Sequence, residues 1–229
     1  MTLEEFKHQN KIQFKNETLL EQAFIHRSFI NENPRSGLEH NERLEFLGDA
    51  VLELVVTEYL YAKYPHHNEG DLTAYRSALV NAVTLGDVAD KLSFNDLLKL
   101  SKGEAKDVSR ARSSILADAY EAFIGALYID QGFDTVKEFV SKTLLIKTED
   151  IIKKGLYKDA KSFVQEKSQE LYGVTPAYKV LHEEGPDHDK IFRIGIYFND
   201  ELIAEGEGKS KQEAETSSAR KALEIKGWI

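Results

Sequence analysis

The hydrophobic period changes once along the chain, near residue 150, and that change constrains the fold more than any other feature. Before it, apolar residues recur at helical spacing: Leu44, Leu47, Val51, Leu54 and Val55, and again Ile115, Ala119, Ala122, Phe123 and Ala126, with Leu127 and Ile129 beyond. Tyr75–Leu92 is a further amphipathic stretch through Leu79, Val83, Val88 and Leu92. Asn33-Pro-Arg-Ser-Gly37 and Pro65-His-His-Asn-Glu-Gly70 read as loops, and Gly103 as another break. Thr148–Lys158 reads as a short connector and Lys158–Tyr172 as a helix, with Phe163, Leu171 and Tyr172 as its apolar residues. The period then drops towards two in Ala177–Glu183, Lys190–Phe198 and Glu201–Glu205, with Gly185-Pro186 and Asn199-Asp200 as turns. Ser210–Lys226 closes the chain as a helix whose Ala214, Ala219 and Leu223 face inward. The expectation is an all-α domain over residues 1–150 and a small α+β domain over residues 157–229, ordered helix, three strands, helix.

Composition narrows the chemistry. The 229 residues include no cysteine, which excludes disulfides, thiolate zinc sites and a thiol nucleophile. The start, Met1-Thr-Leu-Glu-Glu-Phe, has no basic leader followed by an apolar stretch, and no apolar run approaches the ~18 residues of a membrane span. A soluble, cytoplasmic protein without a membrane partner is expected. The formal net charge is −9, and neither half is basic. Taken alone this argues against nucleic acid as a partner, although net charge speaks to bulk behaviour and not to a local surface.

The informative segment is His40-Asn-Glu-Arg-Leu-Glu-Phe-Leu-Gly-Asp-Ala-Val-Leu52. On a helix Glu42, Glu45 and Asp49 stack on one face, at a cost of a few tenths of a kcal/mol per like-charged pair. A solvated acidic stripe is one explanation. Against it stand the apolar surroundings and Gly48, which costs ~1 kcal/mol inside a helix unless something approaches closely. Leu116–Gly125 repeats the pattern, with Asp118 and Glu121 three apart and a glycine after them. Packed together, the two helices would gather Glu45, Asp49, Asp118 and Glu121. Four partly buried carboxylates cannot all ionise uncompensated. Mg²⁺ suits such a set, activating water and stabilising the oxygens of a phosphodiester displacement.

Asn41-Glu-Arg-Leu-Glu-Phe-Leu-Gly-Asp49 resembles the signature stretch of the ribonuclease III family, and Leu116–Gly125 resembles that family's second acidic motif. His26-Arg-Ser-Phe29 and Asn68-Glu-Gly-Asp-Leu72 fit the same pattern, and the resemblance spans nearly the whole chain. It implies an all-α endonuclease domain followed by an α-β-β-β-α double-stranded-RNA-binding domain. It implies cleavage of double-stranded RNA, such as rRNA precursors and structured mRNA, to 5′-phosphate and 3′-hydroxyl ends with short 3′ overhangs. By the same resemblance Glu45, Asp118 and Glu121 are metal ligands, and Asp49 and Glu121 are catalytic. Glu42 and Glu69 are accessory acidic residues near the RNA, and Phe46 is the interface aromatic of a homodimer. The cofactor implied is Mg²⁺, with substitution by Mn²⁺ left open.

The C-terminal order resembles the double-stranded-RNA-binding domain, with Gly185-Pro-Asp-His188 between strands and Gly206-Glu-Gly-Lys-Ser-Lys211 opening the last helix. Lys209 and Lys211 lie at a helix N-terminus, where the dipole already favours phosphate. By family position His188 in the loop, and Gln165 and Glu166 on the first helix, face the wide minor groove of A-form RNA. Gln212 stands where many family members are basic, and acidic Glu213 and Glu215 follow, which argues for weak binding by this domain alone. Gly208-Lys-Ser210 lacks the first glycine of a P-loop, His66 and His67 read as a solvated loop, and Phe192, Tyr197 and Phe198 read mainly as strand core. A non-catalytic RNA binder would not need the acidic quartet. A phosphohydrolase of small nucleotides would not need the C-terminal domain.

Overall fold

The structure, a computed structural model, describes residues 1–106, 110–157, 159–186 and 190–228. The chain divides into two compact units, Met1–Glu149 and Asp150–Ile229.

The first unit is helical: α1 (Leu3–Asn10), α2 (Glu17–Ala23), α3 (Arg27–Glu32), α4 (Glu42–Lys63), α5 (Glu69–Val80), α6 (Ala82–Lys91), α7 (Phe94–Leu97), α8 (Arg110–Gln131) and α9 (Phe133–Thr143), and α10 (Thr148–Lys153) spans the division between the units. α8 is the central helix. Ala117, Ala119, Tyr120, Ala122, Phe123, Ile124, Ala126 and Leu127 are all buried, which means an apolar surface on every side rather than one stripe. Around Phe123 the rings of Phe6, Phe24 and Phe94 pack edge-on or tilted at centroid distances of 5.3–6.2 Å. Asn41 ties the start of α4 to this core. Its backbone N–H donates to Ile25 O and its side-chain amide to Ala23 O, while Ile25 bridges Lys99 in parallel.

Several expectations change here. The stretch Tyr75–Leu92 is two helices, because Asn81 leaves the helical conformation and caps α6 by accepting from Thr84 N–H. Val83 and Ile129 are exposed rather than core, and so is Leu54. Glu69 and Gly70 belong to α5, whose cap is Asn68, so the preceding loop ends two residues earlier than expected. The Thr148–Lys158 connector begins as α10.

The second unit holds α11 (Ala160–Tyr172), β1 (Ala177–Glu184), β2 (Ile191–Phe198), β3 (Glu201–Gly208) and α12 (Lys211–Ile225). The strands form an antiparallel sheet in the order β1-β2-β3. Asp159 caps α11, and Asn199 takes the left-handed conformation (φ 55°) that the β2–β3 hairpin requires. Phe163, Val164, Ile196, Phe198, Ala219, Ala222 and Leu223 make the core between the sheet and the two helices. Ala214, Ala219 and Leu223 are buried as their spacing predicts, but Leu171 and Tyr172 are exposed at the end of α11. β3 also runs through Gly206 and Gly208, so these glycines do not open α12. A Cβ on Gly206 would collide with Ala214 O and Ser218 N. The missing side chain is what lets α12 lie against the strand.

Candidate active site

The site begins with two glycines. Where α4 crosses α8, a Cβ on Gly48 would lie 2.6 Å from the carbonyl carbon of Glu121 and 2.8 Å from Gly125 N. A Cβ on Gly125 would lie 3.0 Å from the carbonyl carbon of Leu44 and 3.1 Å from Gly48 N. The two backbones therefore touch, closer than any pair of side chains would allow. Glu45 stands one turn before Gly48, and Asp118 and Glu121 stand one to two turns before Gly125. The crossing aims all three at one point, and an oxygen from each lies within 4.8 Å of the others.

Electrostatics follow from that geometry. Burial, then Asp118, Glu42 and Asp49, push the Glu45 carboxyl up to about 7. Burial, then Asp49, Asp118 and Glu45, push Glu121 up to about 8. Asp118 is raised by burial. Glu45 and Glu121 bear the marks of carboxylates held together against repulsion, and an oxygen-only, anionic donor set of this kind fits a hard divalent cation. Asp49 is exposed at the rim and is not one of the three, although its charge is the largest electrostatic contribution on Glu121 after burial.

The accessory acids part company. Glu42 lies beside the site but is engaged elsewhere, pairing with Arg27 Nη1 at 3.1 Å, while His40 Nδ1, 3.7 Å from its other oxygen, is beyond hydrogen-bond reach. Nothing in linear spacing pairs Arg27 with Glu42, and sequence reasoning missed it. Glu69 opens α5, accepts from the Thr73 hydroxyl at 3.2 Å and lines a hollow of about 470 Å³ with Tyr61, His67 and Arg76. His67 packs against Tyr64 and Tyr75 instead of lying in solvent. Phe46, on α4 next to Glu45, is 83% exposed, and Leu54 and Tyr61 on the same helix are exposed as well.

In the second unit Gln165 and Glu166 lie exposed on α11, and Lys209 and Lys211 flank the Ser210 cap of α12. The helix end is not bare, because the Glu213 carboxylate accepts from Lys209 N–H at 3.0 Å. Glu215 is bonded to Lys161. Lys211 Nζ lies 5.8 Å from the centroid of the half-buried Phe192 ring. His188 lies outside the described residues.

Known proteins share this organisation. Residues 16–148 match the Ribonuclease-III-like family and residues 160–226 the Double-stranded RNA binding motif. Ribonuclease 3 of Carboxydothermus hydrogenoformans is 46% identical over 212 residues, covering 93% of this chain and 90% of that protein. Ribonuclease 3 of Geobacillus kaustophilus is 48% identical over 221 residues, covering 94% and 88%. The solved nuclease domain of ribonuclease III from Campylobacter jejuni, which has a region involved in dimer formation, is 39% identical with a TM-score of 0.56. It covers 62% of this chain and 94% of that domain. With one signature on each of the two crossing helices and the RNA-binding motif following in the same chain, this protein belongs to the ribonuclease III family.

Proposed function

We propose that the chain is a Mg²⁺-dependent, cytoplasmic endoribonuclease that cuts double-stranded RNA in the processing of structured transcripts. Residues 1–150 are its catalytic domain and residues 157–229 its double-stranded-RNA-binding domain. The observation that carries the reading is the convergence of Glu45, Asp118 and Glu121 at the Gly48–Gly125 crossing. Those three would hold the cation, which when bound supplies charge stabilisation at the scissile phosphate and activates water for attack. Asp49, at the exposed rim, is the carboxylate left to orient that water or take its proton. Glu42, already paired with Arg27, shapes the field of the site from outside the ligand set. Glu69 is an acidic contact near the RNA.

Gln165 and Glu166 on α11, with His188, are assigned to the minor groove, and Lys209 and Lys211 to phosphates. The exposed aromatic Phe46 is assigned to the interface of a homodimer formed by the catalytic domains, a place where 83% exposure of a phenyl ring ceases to be anomalous. No helix among the described residues is long and apolar enough to cross a membrane. The test is incubation with long double-stranded RNA and with single-stranded RNA, in Mg²⁺, in Mn²⁺ and in chelator. Only the duplex in metal should be cut. Robust cutting in chelator would overturn the assignment.

A further inference from the structure

Helices α11 and α12 cover one face of the three-stranded sheet. On β2, Ile194, Ile196 and Phe198 are buried on that side, so Arg193, Gly195 and Tyr197 face away from it. Pairing extends the outer face into rows across the strands: Ala177, Tyr197, Leu202; then Lys179, Gly195, Glu205; then His182, Arg193, Glu207. The middle row has no side chain at its centre. A Cβ on Gly195 would meet Leu202 Cδ1 at 2.7 Å, Tyr197 Cε2 at 3.0 Å and Leu181 Cδ1 at 3.2 Å. Leu181 follows Ala177 and Lys179 at period two and so reaches this face by alternation, and the register slip between Val180 and His182 leaves it without a direct partner on β2. Leu181, Tyr197 and Leu202 thus close over the glycine as a shallow apolar patch, with Leu181 39% and Leu202 41% exposed.

Charge around the patch is ordered. Lys179 stands on the β1 side of Gly195 and Glu205 on the β3 side, in the same row. Lys179 Nζ lies 4.6 Å from the centre of the Tyr197 ring, and among the described residues neither Lys179 nor Glu205 has an ion-pair partner. Arg193 and Glu207 satisfy each other at 2.9 Å. Suppose a second copy is turned through half a rotation about an axis parallel to β2 and laid face to face on the first. Its β3 then lies over the first copy's β1, and each Lys179 meets the other copy's Glu205. The apolar side chains meet at the centre.

We propose that the outer face of this sheet pairs with the same face of a second copy of the chain. The contact is two-fold and self-complementary, with the Leu181–Tyr197–Leu202 patch at its centre and a Lys179–Glu205 ion pair at each edge. Three strands span only ~10 Å across, so the contact is far smaller than the ~800 Å² per partner of an independent dimer. It is therefore weak by itself and acts between copies already held near one another. Because α11 and α12 lie on the opposite face, pairing leaves Gln165 and Lys211 accessible to RNA.

The absence of cysteine supplies the test. Ala177→Cys, at the edge of the outer face, is exposed to a long-arm bismaleimide in the full chain at millimolar concentration, so that the result does not depend on any other dimer contact. Cross-linked dimer is expected from Ala177→Cys and not from Lys221→Cys on the exposed side of α12. Adding Lys179→Glu or Glu205→Lys should each cut the yield at least tenfold, and the two together should restore it. Unchanged thermal melting checks that each variant is folded. Equal yields from all four Ala177→Cys chains would overturn the proposal. So would protection of that cysteine by duplex RNA with no cross-link formed, which would assign the face to RNA.

Discussion

Gly48→Ala is the most direct probe of how the acidic site is held. In an ordinary helix the change stabilises by ~1 kcal/mol, since alanine restricts the unfolded chain and favours helix. Here the new methyl would lie 2.6 Å from the Glu121 carbonyl carbon, and the carbonyl oxygen is nearer still. Ordinary contact begins at 3.4 Å, so α4 must retreat from α8 by about 0.8 Å to clear the carbon and further to clear the oxygen. Both surfaces are helix backbone, and no rotamer change relieves the clash. Overpacking of this kind costs ~1–3 kcal/mol or more, enough to reverse the gain in helix propensity. The retreat moves Glu45 away from Asp118 and Glu121. A displacement of ~1 Å at reacting groups costs ~100-fold in rate, or about 2.7 kcal/mol of transition-state stabilisation. The assay is kcat/KM on duplex RNA in Mg²⁺, below the melting temperature of the variant, beside a thermal melt. Gly103→Ala, where the nearest neighbour of the new methyl is 3.8 Å away, is the control and should cut normally. A Gly48→Ala chain that melts higher and cuts as wild type would refute the reasoning.

Glu121→Gln keeps the shape of the ligand and removes its charge, so cleavage should collapse while duplex affinity stays within a few fold; parallel loss of both would make Glu121 structural. Glu45 and Glu121, raised from 4.5 to about 7 and about 8 in the folded chain, hold protons there that the unfolded chain releases. Metal-free stability should therefore fall as pH rises from about 4.5 to about 8, and Mg²⁺ should flatten the slope, as read by denaturant unfolding across that window; stability that rises with pH would contradict the site's electrostatics. Phe46→Ala should weaken the homodimer by ~3–5 kcal/mol in sedimentation, without lowering the melting temperature of the monomer. Lys209→Ala with Lys211→Ala should weaken binding to unrelated duplexes equally and make the salt dependence shallower, as lost phosphate contacts do.

The carboxylates were legible because their chemistry is local. Asp118 and Glu121 share a helical face by spacing alone, and Gly48 stood out as an energetic cost with no local return. What spacing could not supply was the partner. That Gly48 meets Glu121 and Gly125 is a fact about two helices more than sixty residues apart in the chain. Arg27 against Glu42, fifteen residues apart across a loop, is likewise a pairing that no helical spacing supplies. The misplaced boundaries have short-range causes that competed with the hydrophobic period. Asn81 continues an amphipathic pattern yet caps a new helix, and Gly206 and Gly208 resemble a loop in composition yet lie in a strand because α12 needs the space. The exposed Phe46, Leu54 and Tyr61 mislead any reading that equates apolar with core, since on α4 part of the apolar pattern faces away from this chain.

The crossing of α4 with α8 also has a consequence during synthesis. Glu45 leaves the ribosome long before Asp118 and Glu121, and until α8, the centre of the unit, has been made α4 lacks the helix it crosses at Gly48. A nascent chain that stops short of about residue 125 therefore carries the first signature without the second, and its carboxylates have nothing to converge with. Domains fold as units as they emerge. The acidic site of this chain is thus assembled late in the making of the first unit, only after the segment that joins its two halves has emerged together with α8.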